Sequence, residues 1–376
     1  MAFLPFLALI LFMVLTELLP QVLESQSTLR NYIQLNRSKI FEVFGSGVPL
    51  SIVFCLIMLA LSTGKRTNAL KEEKEKALQK NLEDQKRINK AISRFVPNEF
   101  LHALGKSDIT QITLGDTVEK EVTVFFSDIR DYTTIAEALS PEENFKFVNK
   151  YNGRMGPIIQ NNQGFVNQYL GDGIMAIFPN TPADALRSAI DMQQVIRSYN
   201  QERISEGRRV IKVGMGLHTG SLIMGITGDE NRLDATTISD SVNSAARIES
   251  LTKYYGTSIL LSEVSLKKIK NPDEFHFRYL GQVQVKGKQK PLKIYECFDA
   301  DLPEIAALKL ATLEMFNAGI QHYFNQSFAQ AILNFESILT QNSADKTAQL
   351  FLHKARQLAK MGVAENWTGV ELMGQK

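Results

Sequence analysis

Cysteine is scarce in this 376-residue sequence, and its scarcity excludes two kinds of protein. The two cysteines are Cys55, inside an apolar stretch, and Cys297, near the end of a strand-like segment. Two cysteines cannot form the disulfide framework of a small secreted domain, and their spacing fits none of the usual zinc-site patterns. The five histidines are scattered along the chain, so they add no metal-binding motif.

An excess of charge of either sign is also absent. Lys and Arg together number 42 against 40 Asp and Glu, which gives a formal net charge of +2. Nucleic acid binding therefore has little electrostatic support. Because 44% of the residues are hydrophobic and 22% are charged, we expect a folded chain, and its length suits two or three domains.

Long apolar runs occur at the N-terminal end. Residues 44–61 form a run of 18 residues without a charge, close to the roughly 20 that a membrane-spanning helix needs. Lys65 and Arg66 follow almost at once, and basic residues mark the cytoplasmic side of membrane helices. We therefore expect residues 1–64 to anchor the chain in the cell membrane and the rest to be cytoplasmic.

The first apolar run, residues 2–23, is interrupted by Glu17 and Pro20. It fits either a first transmembrane helix or a signal peptide. A signal peptide would have a basic start and a small-residue cleavage site, and the run has neither. We favour a transmembrane helix, followed by a short external loop over residues 24–43.

Residues 65–95 are rich in helix-favouring residues and contain neither Gly nor Pro. Apolar residues recur there at near-heptad spacing, namely Leu70, Ala77 or Leu78, Leu82, Ile88, Ile92 and Phe95. The step from Leu82 to Ile88 breaks the register, as a skip does. Two interpretations remain open: a solvated helical spacer, or a parallel dimeric coiled coil that transmits motion to the next domain.

Short β-rich runs alternate with helical stretches over residues 96–300. The run 121–126 predicts a strand, and the helix predicted over 141–160 begins with a Ser140 cap. Residues 165–178 contain two apolar runs around Gly-Asp-Gly, which indicates a hairpin. This alternation is typical of an α+β fold with a mixed sheet and helices.

Two acidic residues follow apolar runs in this region. Asp128 comes just after the run 121–126, and Asp172 lies at the tip of the predicted hairpin. Carboxylates at the edge of a sheet can hold Mg²⁺ or Mn²⁺, which prefer oxygen ligands and leave positions open for substrate phosphates. Either acid alone indicates no more than a turn. The two together fit a metal site as well as they fit two ordinary turns.

Four segments in series resemble the motifs of class III adenylate and guanylate cyclases. FFSDIRDYT (125–133) and NQYLGDGIMAIF (167–178) resemble the two metal motifs, TTISDSVNSAARIES (236–250) the helix with the transition-state residues, and QVKGKQKPLKIYE (284–296) the closing hairpin. The resemblance covers residues 94–298. It implies a ferredoxin-like palm domain that acts as a homodimer, with its active sites at the dimer interface.

The resemblance also implies a role for each matching residue. Asp128 and Asp172, with the carbonyl of Ile129, would hold two divalent metal ions, Mg²⁺ or Mn²⁺. The implied substrate ligands are the backbone amides of Ile129, Arg130, Asp131, Tyr132 and Thr133 for the phosphates, Arg232 and Lys286 as further basic ligands, and Asn243 and Arg247 from the partner subunit for the ribose and the α-phosphate. Asn243 and Arg247 are four residues apart on a predicted helix, so they share a face.

Gln168 and Thr236 occupy the positions at which cyclases of this family read the base. Adenylate cyclases usually carry Lys and then Asp or Thr there, and guanylate cyclases carry Glu and then a small residue or Cys. Thr236 fits the adenylate pattern, whereas Gln168 fits neither because its amide can both donate and accept. ATP is the expected substrate with some use of GTP, and a guanylate or dual-specificity cyclase is the alternative. Ser239 stands where Gly is usual.

Two other functions fit the sequence less well. A catalytically silent cyclase-like domain, serving as a nucleotide sensor or dimerisation module of a membrane receptor, would tend to lack a metal acid or the Asn243–Arg247 pair. A diguanylate cyclase would need a Gly-Gly-(Asp/Glu)-Glu-Phe hairpin, and the hairpin here reads Leu-Gly-Asp-Gly-Ile.

Residues 301–376 are predicted to form a small all-α tail, with helical stretches over about 303–324, 328–340 and 344–361. Residues 318–339 resemble one tetratricopeptide-like hairpin. A single repeat cannot bury a continuous core. We therefore expect a helical cap packed on the catalytic domain, and a groove for a protein partner is the alternative.

Overall fold

The computed structural model describes residues 50–92, 95–284 and 291–372. The chain divides into two compact units, residues 1–90 and 91–376. Helix α1 (Leu50–Ile92) makes up the described part of the first unit. It confirms the helix predicted over residues 65–95 as far as Ile92.

Four apolar residues of the predicted near-heptad row lie open to solvent on α1 in the single chain. Leu70, Leu78, Leu82 and Ile88 each have half or more of their surface exposed. A dimeric coiled coil would cover such a row of side chains. The coiled coil itself stays a prediction.

Among the residues that the structure describes, no helix is both long enough and apolar enough to cross a membrane. The first predicted span, residues 2–23, lies outside the described residues. Of the second, residues 44–61, only the part from Leu50 onward is described, as the start of α1. The predicted transmembrane helices are therefore not supported by the described part of the chain.

A mixed sheet forms the centre of the second unit. Its strands within the described ranges are β1 (Thr117–Ile129), β2 (Phe165–Leu170), β3 (Gly173–Phe178), β4 (Val213–Gly228), β5 (Leu233–Ile238), β6 (Ile259–Ser262), β7 (Phe277–Gln284), β8 (Leu292–Cys297) and β9 (Glu371–Leu372). Their order is β2-β3-β1-β4-β6-β8-β7-β9, and β5 pairs with β4. The pairs β4–β6 and β7–β9 are parallel and the others antiparallel. The predicted mixed sheet is confirmed.

Helices cover both faces of this sheet. In chain order they are α2 (Asn98–Ala103), α3 (Tyr132–Ala136), α4 (Pro141–Asn161), α5 (Pro182–Ser205), α6 (Asp240–Tyr255) and α7 (Glu263–Lys267), followed in the tail by α8 (Pro303–Ala311), α9 (Leu313–Phe324), α10 (Phe328–Gln341) and α11 (Lys346–Met361). Side chains of α4 and α5 pack with Phe125 on one face. Phe100 of α2 and Ala245 of α6 pack with Val124 on the other.

Local sequence signals fix where the long helices begin. The predicted Ser140 cap of α4 is confirmed, and it forms a capping box with Glu143, because each side chain accepts a hydrogen bond from the other residue's backbone N–H. Thr181 caps α5, and its hydroxyl accepts from the N–H of Ala183. These caps fix the first residue of each helix.

The tail packs on the sheet of the preceding domain, as predicted. Leu280 and Ile294 of the sheet share one buried cluster with Phe316, Phe335 and Phe351 of the tail. The predicted helical stretch 303–324 is two helices instead of one, since α8 ends before Thr312 and α9 begins after it. The tail and the sheet therefore share a core.

A buried cluster of charges also joins the tail to the sheet. The guanidinium of Arg278 on β7 pairs with Glu296 on β8 at 2.6 Å and with Asp345 before α11 at 2.5 Å. Lys309 of α8 pairs with Glu296 at 2.7 Å and with Asp301 at 2.5 Å. Arg278 and Glu296 are fully buried. Such a cluster fixes how the tail seats on the sheet because an unpaired charge there would be costly.

Candidate active site

The β2–β3 hairpin brings Asp172 to the end of β1. Leu170 pairs with Gly173, so the turn consists of Gly171 and Asp172 alone. Gly171 adopts a φ of 73°, which glycine allows at the first position of such a tight turn. On the neighbouring strand Asp128 is the last residue but one of β1. The predicted hairpin is confirmed, and it places the two acids at one edge of the sheet.

Gly173 leaves little room for a side chain beside the two acids. A Cβ at Gly173 would lie 3.2 Å from the carbonyl oxygen of Ser127 and 3.4 Å from Oδ1 of Asp128. Burial and the Asp128 carboxylate raise the pKa of Asp172, whereas the backbone of Asp172 itself and of Ile129 acts in the opposite direction. The turn is thus held directly against the end of β1, where Asp128 is exposed to solvent.

The electrostatics of this pair favour a bound cation. Partial burial, together with the facing carboxylate of Asp128, raises the pKa of Asp172 to about 7. Two carboxylates that share a site resist ionising together unless a positive charge is added. The donor set therefore fits a divalent cation, which would supply that charge.

The described residues contain no group of three or more His, Cys, Asp or Glu side chains that could hold a metal ion. The further ligands would have to come from the Ile129 carbonyl, from water and from substrate phosphates. Mg²⁺ is commonly bound in this way, by one or two carboxylates and substrate oxygens. The acid pair therefore fits a metal ion that is bound together with a phosphorylated substrate.

The loop after Asp128 leads into the short helix α3. Asp131 has a φ of 56°, which turns the chain sharply before Tyr132. The N–H of Arg130 donates to the carbonyl of Lys212 at 2.8 Å, so the sheet already uses this amide of the predicted phosphate cradle. Tyr132 donates from its hydroxyl to Asn144 at 2.9 Å. The amides of Tyr132 and Thr133 lie in the first turn of α3.

The side chain of Arg130 has a structural contact that the sequence did not reveal. Its guanidinium donates to the carbonyl of Thr252 at 3.1 Å and to that of Thr257. Burial lowers the pKa of Arg130, while Glu249 and Asp131 act in the opposite direction. Arg130 thereby ties the loop beside the acid pair to the C-terminal end of α6.

Asn243 and Arg247 lie one turn apart in α6, Asn243 exposed and Arg247 half-buried. Ser239 caps this helix, because its hydroxyl accepts from the N–H of Ser241 at 2.8 Å and donates to the carbonyl of Ser221. The serine that stands where the family usually has glycine therefore has a helix-capping role. The chain presents Asn243 and Arg247 on a different element from the acid pair.

The two positions predicted to read the base lie on β2 and β5. Gln168 is exposed and pairs with Met175, while Thr236 is half-buried and pairs with Gly225. A β-bulge between Val166 and Gln168 leaves Asn167 as an extra residue on β2.

The bulge residue Asn167 is a further candidate for base recognition, which the sequence alone did not indicate. Its amide lies 3.5 Å from the hydroxyl of Thr237 and 3.6 Å from the sulfur of Met175. Asn167 and Thr237 each adjoin one of the two predicted base-reading residues in sequence. Their contact therefore links the two positions.

Of the two remaining predicted phosphate ligands, Arg232 and Lys286, the structure describes only Arg232. The side chain of Arg232 is exposed in the turn between β4 and β5, and its backbone closes that turn with Asp229. Lys286 lies outside the described residues. Its proposed role stays a prediction from the sequence.

Comparison with known proteins decides what kind of domain carries these residues. Residues 116–297 match the family model for the adenylate and guanylate cyclase catalytic domain. This part of the chain belongs to that family. Both acids, the Asn243–Arg247 helix and the two predicted base-reading positions lie inside the cyclase domain.

Two curated relatives carry the name adenylate cyclase. The chain is 40% identical to the adenylate cyclase of Anabaena cylindrica over 230 residues, which are 60% of this chain and 46% of the relative. It is 33% identical to the terminal-differentiation-specific adenylate cyclase of Dictyostelium discoideum over 314 residues, which are 82% of this chain and 14% of that protein. The chain thus spans less than half the length of either relative.

A solved structure shares the fold. The structure of a bacterial light-regulated adenylyl cyclase matches with a TM-score of 0.51 and 24% identity, over 63% of this chain and 70% of that one. At this identity the likeness concerns the fold of the cyclase domain.

Proposed function

We propose that this chain is an adenylate cyclase, which converts ATP into 3′,5′-cyclic AMP and pyrophosphate at the interface of a homodimer. The observation that carries the proposal is the Asp128–Asp172 pair, held by the tight hairpin in a domain of the cyclase family. The curated relatives named adenylate cyclase support ATP as the substrate. The half-buried Thr236 fits the same choice, and Gln168 leaves room for some use of GTP.

The residues of the site divide the reaction between two subunits. The 3′-hydroxyl of ATP attacks the α-phosphorus in line, a new P–O bond forms, and the bond to pyrophosphate breaks. Two divalent cations, Mg²⁺ or Mn²⁺, would activate the hydroxyl and neutralise phosphate charge. Asp128, Asp172 and the Ile129 carbonyl would hold them.

The transition-state residues would come from the other subunit. Asn243 would orient the ribose, and Arg247 would stabilise the charge that develops at the α-phosphate. Arg232, Lys286 and the amides at the start of α3 remain the proposed ligands of the other phosphate oxygens. Arg130 would act on this loop through its contacts with α6.

Dimerisation and location belong to the same proposal. The exposed apolar row of α1 supports pairing of two chains through a coiled coil. Attachment to the cell membrane, with the catalytic domain in the cytoplasm, rests on the sequence of residues 1–64. Cell fractionation of the tagged full chain tests this attachment. An anchored chain should sediment with the membranes and be released from them by detergent. A protein partner for the tail stays a sequence prediction.

The test of the enzyme is product formation by the purified chain with ATP or GTP and Mn²⁺. We expect cyclic AMP from the wild type and a loss of at least about a hundred-fold in Asp172→Asn, a substitution that keeps the side-chain shape. Asp184→Asn, at an acid on α5, is the matched control and should keep full activity.

Each other outcome has a distinct meaning. Cyclic GMP in equal or greater yield would make the chain a guanylate or dual-specificity cyclase. A folded dimer that forms neither product would contradict the proposal and favour a silent nucleotide-binding domain.

A further inference from the structure

The tail contacts the C-terminal end of α6. Tyr254 on this helix donates from its hydroxyl to the Glu371 carboxylate on β9 at 2.8 Å. Lys354 on α11 pairs with the same carboxylate and lies 4.8 Å from the centre of the Tyr254 ring. We call these three residues the clamp. Lys354 and Glu371 keep less than a quarter of their side-chain surface exposed.

A second set of contacts lies beside the clamp. Thr347 donates from its hydroxyl to the carbonyl of Tyr255 at 3.0 Å, and so satisfies one of the carbonyls that the helix end leaves unpaired. The ring of Tyr255 stacks on Phe351 with ring centres 6.3 Å apart. Leu251 and Ile248, one and two turns earlier, are buried in the same cluster as the tail phenylalanines. The last turn of α6 thus contacts the tail directly, and the second half of the helix shares a buried cluster with it.

The tail also holds the strand that leads to Lys286. β9 pairs in parallel with the end of β7, with Glu371 opposite Val283 and Leu372 opposite Gln284. Glu371 therefore contacts α6 through its side chain and β7 through its backbone. Helix α6 carries Asn243 and Arg247, whereas Asp128 and Asp172 lie on other elements.

We propose that the clamp Tyr254–Lys354–Glu371 positions the substrate-facing residues of α6, so that the tail is a working part of the half-site that each subunit offers to its partner. Tyr254, Lys354 and Glu371 are positioning residues, since they act through α6 on Arg247. This inference rests on the proposed function, because it assigns Asn243 and Arg247 to a site completed by the acids of the other subunit.

Two variants and a control of the full chain test the clamp. Glu371→Ala removes both contacts of the carboxylate, and Tyr254→Phe removes only the hydrogen bond. Arg356→Ala breaks an ion pair with Glu336 inside the tail, at 2.6 Å, and is the matched control. We expect kcat to fall about ten-fold in Glu371→Ala and about three-fold in Tyr254→Phe with little change in KM, and both constants to be unchanged in the control.

Mixed dimers separate positioning from general damage. Paired with an Asp172→Ala chain, Glu371→Ala supplies the acids and the other chain supplies an intact α6, so about half of the wild-type activity should return. Paired with an Arg247→Ala chain, the only complete site still uses the impaired α6, and activity should stay low. Equal activity in the two pairings, or a kcat for Glu371→Ala equal to that of the control, would overturn the proposal.

Hydrogen exchange provides a readout that does not depend on catalysis. Amides in the last two turns of α6 should exchange at least about five-fold faster in Glu371→Ala than in Arg356→Ala, because the helix end loses its anchor. If the wild type has no cyclase activity but exchange is still faster in Glu371→Ala than in Arg356→Ala, the proposed function is wrong and the clamp is supported. Unchanged exchange in an active enzyme would overturn the clamp alone.

Discussion

At the scale of single residues, the site depends on how closely two carboxylates approach. Asp172 is held against β1 by a two-residue turn and by the absence of a side chain at Gly173. A glycine at such a point gives up stability for closeness of approach. A residue without a side chain therefore adjoins the acid pair.

Replacing Gly173 with alanine tests this closeness. The new methyl group would lie 3.2 Å from the Ser127 carbonyl oxygen and 3.4 Å from Asp128, so the hairpin must shift by a few tenths of an ångström. We expect a several-fold higher Mn²⁺ concentration for half-maximal activity, measured by metal titration. Gly153→Ala, where a Cβ meets nothing within 4 Å, should leave the titration unchanged.

Asn167 offers a second test, on the choice of base. Its contact with Thr237 links the neighbours of Gln168 and Thr236. Loss of one hydrogen bond is worth about 1 kcal/mol, or about five-fold in a rate ratio. We expect the ratio of kcat/KM for ATP to that for GTP to fall by about this factor in Asn167→Ala. Asn180→Ala, at an exposed loop position, should keep the wild-type ratio; equal ratios in all three proteins would remove Asn167 from base selection.

Some helices and strands have features that depend only on residues adjacent in sequence, and others depend on distant residues. The capping box of α4 and the hairpin around Gly171 follow from residues that adjoin in sequence, so both could be predicted. The bulge at Asn167 depends on the register between β2 and β3, which the residue pattern does not reveal. The pairing of Arg278 with Asp345, 67 residues later, is equally invisible in the sequence.

Helix α6 gives a prediction at this scale. Ser239→Ala removes the cap and should lower the free energy of unfolding by about 1 kcal/mol, whereas Ser239→Gly should cost only a few tenths, because glycine is tolerated at the cap position. Denaturant unfolding of the two variants measures the difference. Equal losses would show that the bond from Ser239 to Ser221, and not the helix cap, carries the stability.

At the scale of the whole molecule, the buried charges make the union of tail and sheet sensitive to acid. Burial opposes the ionisation of Glu296 and Asp345, but Arg278 and Lys309 together outweigh it and lower the pKa of both carboxyls. A carboxyl whose pKa is lowered by folding stabilises the fold above its unfolded pKa and loses that contribution as the pH falls. Asp301, whose pKa burial raises, acts in the opposite direction.

We therefore expect stability to fall as the pH drops below about 4.5, the range in which unfolded Glu and Asp take up protons. Asp345→Asn keeps the shape of the side chain but leaves the Arg278 charge with one partner fewer, and should cost about 3 kcal/mol at pH 7. Its stability should also depend less on pH than that of the wild type. Glu336→Gln, at an exposed ion pair, should change neither quantity by more than about 0.5 kcal/mol. Denaturant unfolding of the three proteins at pH 4 and pH 7 measures both the free energy of unfolding and its dependence on pH.

The shared core of sheet and tail has a practical consequence for anyone who isolates the catalytic region. The family domain ends at residue 297, yet Leu280, Val283 and Ile294 of that region are buried against helices that follow it. A protein truncated at the family boundary would expose this hydrophobic face together with the unpaired edge of β7. Such surfaces promote aggregation. The natural boundary for expression lies beyond Leu372, and shorter versions should precipitate.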